Sequence, residues 1–148
     1  MPQSLANVLL HLVFSTKDRE PMIASEMMPK AHKDLSGILD KLRTPSVQIG
    51  GTQDQIHALS SMSRRLTIAK IVEEAKKGSS KWMKGEGVGS FTWQAGYAVF
   101  SVSESQKAAL VRYIQRQAEH HRHVSFRDEV RRFLAQHQGS YDKRYVWD

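Results

Sequence analysis

The hydrophobic positions change period several times along the chain, and each change marks an element. Residues 7–16, NVLLHLVFST, are a nearly continuous apolar run rich in branched side chains. Such a run suits a central strand covered on at least one face. From Ile23 to Leu42 the period turns helical: Met27, Ala31, Leu35, Ile38, Leu39 and Leu42 recur at three and four, until Thr44 and Pro45 stop the pattern. Val47 to Ile49 start a short strand, and Gly50-Gly51 read as a turn. Gln55 to Met62 alternates as a third strand, with Gln55, His57 and Leu59 on one face and Ile56, Ala58 and Ser60 on the other.

Helical period returns from Thr67 to about Met83 through Ile68, Ile71, Val72 and Ala75, with lysines on the polar side. The glycine-rich stretch KGEGVGS, residues 84–90, reads as a connection; it lacks the GK[ST] ending of a phosphate-binding loop, so no nucleotide cofactor is expected. Phe91 to Ser103 reads as the fourth strand and its approach. Ser103 with Gln106 fits a capping box that opens a further helix. Another helix is predicted from Phe126 to His137, and the aromatic tail with Tyr141, Tyr145 and Trp147 is expected to pack on something. The order is βαββαβ followed by additional C-terminal helices. That is an α+β, ferredoxin-like arrangement: an antiparallel sheet with two helices on one face, in a single domain spanning residues 1–148. Its other face must be covered by the later helices or by a ligand.

Composition narrows the function classes. Lys and Arg total 22 against 15 Asp and Glu, a formal net charge of +7. A domain this basic is a candidate for binding a polyanion such as nucleic acid. With no cysteine, a disulfide, a thiolate metal site and a cysteine nucleophile are all excluded. The opening residues MPQSLANVLLHLVF lack a basic leader, and their apolar run is too short for a membrane helix, so a cytoplasmic protein without a membrane partner is expected.

Candidate chemistry centres on the stretch YIQRQAEHH, residues 113–121. Tyr113 and Gln117 are four apart, on one face of a helix, beside a stripe of Leu110, Ile114 and Ala118. Alone, such a pair reads as a half-buried ring with a solvated amide. If this helix covers the Gln55–His57 face of the third strand, a polar set of Gln55, His57, Tyr113 and Gln117 forms. An imidazole with amide oxygens can hold Mg²⁺ or Mn²⁺, such a cation stabilises charge on a phosphate, and a tyrosine hydroxyl beside it can attack phosphorus.

Several motifs in order resemble one family. HLVFSTKDREPMI, DQIHAL, AKKGSSKWMK, FTWQAGYAVFSVSES, YIQRQAEHH and YDKRYVWD together resemble the single-tyrosine transposases of the HUH class, which move insertion sequences as single-stranded DNA, and their domesticated REP-associated relatives. The resemblance implies Tyr113 as nucleophile, with His57, Gln117 and, at the first motif position, Gln55 around a Mg²⁺ or Mn²⁺ ion. It implies cleavage beside single-stranded DNA hairpins through a 5′ phosphotyrosine link, and a homodimer in which one subunit's tyrosine helix can complete the other's site. The family pattern has two histidines on the strand, and here the motif reads Gln55-Ile56-His57. A neutral amide should bind a cation more weakly than imidazole, so the resemblance also implies impaired metal binding, down to a relative that binds DNA hairpins without cutting.

Other marked residues carry less. Lys76, Lys77 and Lys81, with Lys70 and Lys84, suit either a solvated helix face or phosphate contacts. Arg112, Arg116 and Arg122 flank the tyrosine and suit steering of a DNA backbone. His120, His121 and His123 lack metal-ligand spacing. Trp82, Trp93 and Tyr97 can stack on bases, although core packing suits at least two of them. Gly96 to Phe100 resembles the aromatic motif of RNA-recognition modules, but Val99 stands where the second central aromatic belongs, and the segment falls on the fourth strand rather than the third.

Overall fold

The computed structural model describes residues 5–117 and 126–136. Four strands, β1 (Leu9–Ser15), β2 (Ser46–Gly51), β3 (Gln55–Ser61) and β4 (Ala98–Val102), form one antiparallel sheet in the order β2-β3-β1-β4. The helices are α1 (Met28–Lys41), α2 (Ile68–Gly85), α3 (Lys107–Gln115) and α4 (Phe126–Gln136). This is the ferredoxin-like α+β arrangement expected from the hydrophobic pattern. Every residue of the central strand β1 is buried, as its nearly continuous apolar run requires.

Strand alternation divides the sheet into two chemically different faces. Leu10, Leu12 and Phe14 of β1 join Ile56 and Ala58 of β3 against Ala31, Leu35 and Leu39 of α1 and Ile71, Val72, Ala75 and Met83 of α2. These helix residues repeat with the helical period, so each helix turns one apolar stripe to the sheet. Trp93 completes this core, edge-on to Phe14 and Phe91 at centroid distances of 4.8 and 4.7 Å, with its indole N–H donating to Ser79 Oγ at 3.0 Å. Trp82 also packs against this core, while Tyr97 stays 45 % exposed.

The opposite face is smaller and is covered by α3. Leu9, Leu59 and Ile114 are buried there, with Leu110, Val111, Val102 and Tyr113 packed around them. Roughly 2 kcal/mol for each fully buried aliphatic side chain makes Ile114 the principal anchor of α3.

Local boundaries depart from the sequence reading in four places. Helix α1 begins at Met28, with Pro29 in its first turn, rather than at Ile23. Ile23 is 1 % exposed, but it enters the core from a loop whose N–H bonds the Gln53 carbonyl at 3.0 Å. Gly50 and Gly51 lie inside β2, and the turn falls on residues 52–54, where Thr52 Oγ1 donates to Asp54 Oδ1 at 2.6 Å. Helix α2 runs on to Gly85, so the glycine-rich connection starts later than its composition suggests. The capping box does not form: Ser103 Oγ lies 3.1 Å from Ser105 Oγ, and a 3₁₀ turn at Glu104–Gln106 precedes α3. Ala118, Arg122, the three histidines at 120, 121 and 123 and the aromatic tail lie outside the described residues.

Candidate active site

The antiparallel register brings the polar residues together. Ser15 stands opposite Gln55, Val13 opposite His57 and His11 opposite Leu59, so all six share the face that α3 covers. In that layer His11 and His57 are diagonal neighbours, and His11 Nε2 lies 2.9 Å from His57 Nδ1. This is a hydrogen bond in which one imidazole donates and the other accepts. Relative exposures of 1 % for His11 and Gln55 and 0 % for His57 show how fully the layer is shielded.

Helix α3 delivers the phenol. The Tyr113 ring stands edge-on to both imidazoles, with centroids 5.8 Å from His57 and 6.4 Å from His11. Gln117 is 1 % exposed, although α3 itself ends at Gln115 and Arg116 departs from helical geometry. Its amide reaches back to the Tyr113 carbonyl at 3.4 Å. The four residues singled out in the sequence, Gln55, His57, Tyr113 and Gln117, are therefore gathered under α3. The buried serine Ser15 closes the layer at the Gln55 end, where its hydroxyl donates to Gln94 Oε1 at 2.6 Å.

His11 is the member that sequence reasoning missed. Its signal was a lone polar ring in the middle of an apolar strand, with the parity of the covered face. Only the β1–β3 register shows that it meets His57.

The candidate donors for a cation are the His57 imidazole and the amide oxygens of Gln55 and Gln117, while His11 Nε2 is taken up by the hydrogen bond to His57. Among the described residues no cluster of three or more His, Cys, Asp or Glu side chains joins them, and Asp54 is engaged by Thr52 in the turn. Such a neutral set fits a divalent ion of the Mg²⁺ or Mn²⁺ kind, without the charge compensation a carboxylate would add.

The basic residues are dispersed. Arg112 on α3 and Arg116 at its C-terminal end are exposed, in the same layer as Tyr113. Lys77 and Lys81 are exposed on α2, across the sheet from Tyr113. Lys76 turns inward: its ammonium donates to the carbonyls of Gln94 and Gly96, both at 2.7 Å, and lies over the rings of Phe14 and Tyr97 at 5.7 and 5.8 Å. Burial pushes its pKa down to about 8. A cavity of about 500 Å³ beyond the end of β3, lined by Arg43, Arg64 and Arg65 with Ser61 and Ser63, is a further basic feature that the sequence did not single out.

The covered sheet also bears on the RNA-recognition alternative. Phe100 of β4 is 6 % exposed and faces His11 beneath α3, at 6.2 Å between ring centroids. A base-stacking sheet platform must be open, and this one is not.

Comparison with known proteins agrees with the geometry. No curated protein matches the chain in sequence. Among solved structures, a protein of Deinococcus radiodurans R1 assigned as a transposase superposes with a TM-score of 0.63 at 23 % identity, covering 77 % of this chain and 93 % of its own. A REP-associated tyrosine transposase bound to a REP hairpin superposes with a TM-score of 0.62 at 12 % identity, covering 95 % and 89 %. At these identities the likeness is one of fold. The sequence model of the family described as "Transposase IS200 like" matches residues 4–117, which takes in all four strands, the buried histidine layer and Tyr113. The chain belongs to the IS200-like transposase family.

Proposed function

We propose that this chain cleaves and rejoins single-stranded DNA beside a hairpin, with Tyr113 as the nucleophile. The observation that carries the reading is the Tyr113 ring packed edge-on against His57 and His11, 5.8 and 6.4 Å away, in a shielded polar layer. A phenol held this rigidly meets the positioning demand of in-line attack. The Tyr113 oxygen forms a bond to phosphorus as the bond from phosphorus to the 3′ oxygen breaks. The phenolic proton leaves and the departing oxygen gains one, giving a 5′ phosphotyrosine and a free 3′ hydroxyl. Attack by a 3′ hydroxyl on that phosphotyrosine reverses the step and rejoins strands. The bond energy is kept in the covalent link, so no nucleotide is consumed.

His57, Gln117 and Gln55 would hold Mg²⁺ or Mn²⁺, which when bound supplies charge stabilisation at the phosphate. Arg112 and Arg116 are placed to meet the DNA backbone beside Tyr113, and the arginine cavity beyond β3 gives the stem a second phosphate contact. Lys77 and Lys81, on the far layer, would serve only a strand that wraps around the sheet. Active assembly is expected to be a homodimer.

The hairpin reading is supported by family membership and by a fold shared with a protein solved on a REP hairpin. Gln55, where the family pattern has an imidazole, favours one second reading: a chain that binds the hairpin and no longer cuts it. One experiment separates them. The protein is mixed with hairpin-bearing single-stranded DNA from its genomic flanks and Mn²⁺ or Mg²⁺, then run on a denaturing gel. A covalent band that needs the metal and vanishes in Tyr113→Phe is the expected result. A native-gel shift with no covalent band at high metal would leave only the binding function.

A further inference from the structure

We infer that His11 is a positioning residue that sets the tautomer and orientation of His57. The inference rests on the proposed metal-assisted reading of this site, and it assigns a role to a residue of β1, outside the Gln55-Ile56-His57 motif on β3.

The argument starts from the 2.9 Å contact between His11 Nε2 and His57 Nδ1. Two arrangements of the proton satisfy it. If His11 donates, His57 Nδ1 accepts, and a neutral His57 ring then carries its own proton on Nε2. If His57 donates from Nδ1, its Nε2 keeps a lone pair. Only the second leaves His57 able to act as a ligand through Nε2, the ring nitrogen turned away from His11. Ligating histidines generally donate their other N–H to a fixed acceptor, and loss of that acceptor typically lowers metal affinity about 10–100-fold.

His11 is built to be a fixed acceptor. It sits on the central strand, which is hydrogen-bonded on both sides, to β3 and to β4. Its ring is held between Phe100 and Tyr113, at centroid distances of 6.2 and 6.4 Å, and is 1 % exposed. The need is sharper here than in a two-histidine motif. With Gln55 at the first motif position, His57 is the motif's single imidazole, and a misoriented ring could not be covered by a neighbour.

The test begins on the metal-free full chain, with ¹⁵N-resolved imidazole NMR under conditions where both rings are neutral. His57 is expected to be protonated at Nδ1 and bare at Nε2, with a coupling across the hydrogen bond to His11 Nε2. A proton on His57 Nε2 would overturn the inference, and this readout needs no variant to fold. The second measurement is Mn²⁺ affinity by EPR. His11→Phe keeps a ring in the slot and removes the acceptor, so affinity should fall about 10–100-fold. His11→Gln offers an amide oxygen near the old Nε2 position and should recover much of the loss. Affinity unchanged in His11→Phe would sink the role. Couplings from two imidazole nitrogens to bound Mn²⁺ would make His11 a ligand instead, and would also sink it. A wild-type chain that binds no Mn²⁺ yet shows His57 protonated at Nδ1 would remove the metal from the proposed function while leaving the His11–His57 assignment intact.

Discussion

The backbone of Ile114 passes directly over Gly50. A Cβ added at Gly50 would overlap the Ile114 carbonyl oxygen and lie 2.8 Å from its Cγ2. Gly50 stands opposite His57 in the sheet, so this close approach sets the height of α3 above the histidine layer and hence the position of Tyr113. Gly50→Ala should lift α3, at a cost of about 1–3 kcal/mol from overpacking. Denaturant unfolding would show the loss, and the covalent band on the denaturing gel should weaken more than hairpin binding does. A variant with unchanged stability and adduct yield would mean that α3 tolerates a looser seat than this contact implies.

Gln55 is the residue to change for a gain of function. It is 1 % exposed in the same layer as His57, and a neutral amide is a weaker partner than imidazole for Mn²⁺. Gln55→His should lower the Mn²⁺ concentration for half-maximal cleavage by on the order of tenfold, or about 1.4 kcal/mol. A Mn²⁺ titration of adduct formation checks this. An unmoved midpoint would place Gln55 outside the metal site.

Tyr113 and His57 of one chain lie 5.8 Å apart by ring centroid, so one subunit can assemble the site by itself. Mixing Tyr113→Phe with His57→Ala protein, each inactive alone, should therefore yield no adduct. Recovered adduct in the mixture would show that α3 serves the partner subunit.

Lys76 gives the fold a pH signature. Its pKa is lowered from 10.5 to about 8 by desolvation. Below about pH 8 folded and unfolded chains both carry the proton, and the penalty for burying the charge is fully present. Between about 8 and 10.5 the unfolded chain binds more protons than the folded one, so the contribution of Lys76 to stability improves as pH rises through that window. Lys76→Met removes the ionisable group, and the difference between the two unfolding profiles should fade from pH 8 upward. A difference that grew with pH would mean that the Gln94 and Gly96 carbonyls hold the ammonium in its charged form.

Period and parity made much of the fold legible. The alternation in β3 placed Gln55 and His57 on one face, and the helical spacing placed Ala31, Leu35 and Leu39 toward the sheet. What the sequence concealed was mostly proximity across elements. Gly50 read as turn chemistry because nothing local records that a helix backbone crosses it. Ile23 kept the helical period although it enters the core from a loop, and Pro29 was the better sign of where α1 begins. Lys76 shared a polar face with Lys77 and Lys81, yet the segment after α2 folds back to supply its carbonyl partners. His11 opened the motif HLVFSTKDREPMI without a role of its own, and only the β1–β3 register makes it the diagonal neighbour of His57.

The alternation in β3 has one more consequence. Ile56 and Ala58 bind the sheet to α1 and α2, while Gln55 and His57, which alternate with them, face the other way and do little for that core. Heritable change can therefore act on the two sets separately. A chain of this kind can drift at its reactive positions and still reach the same native state, so a copy that loses cutting need not be cleared as a misfolded protein and can persist as a stable basic scaffold.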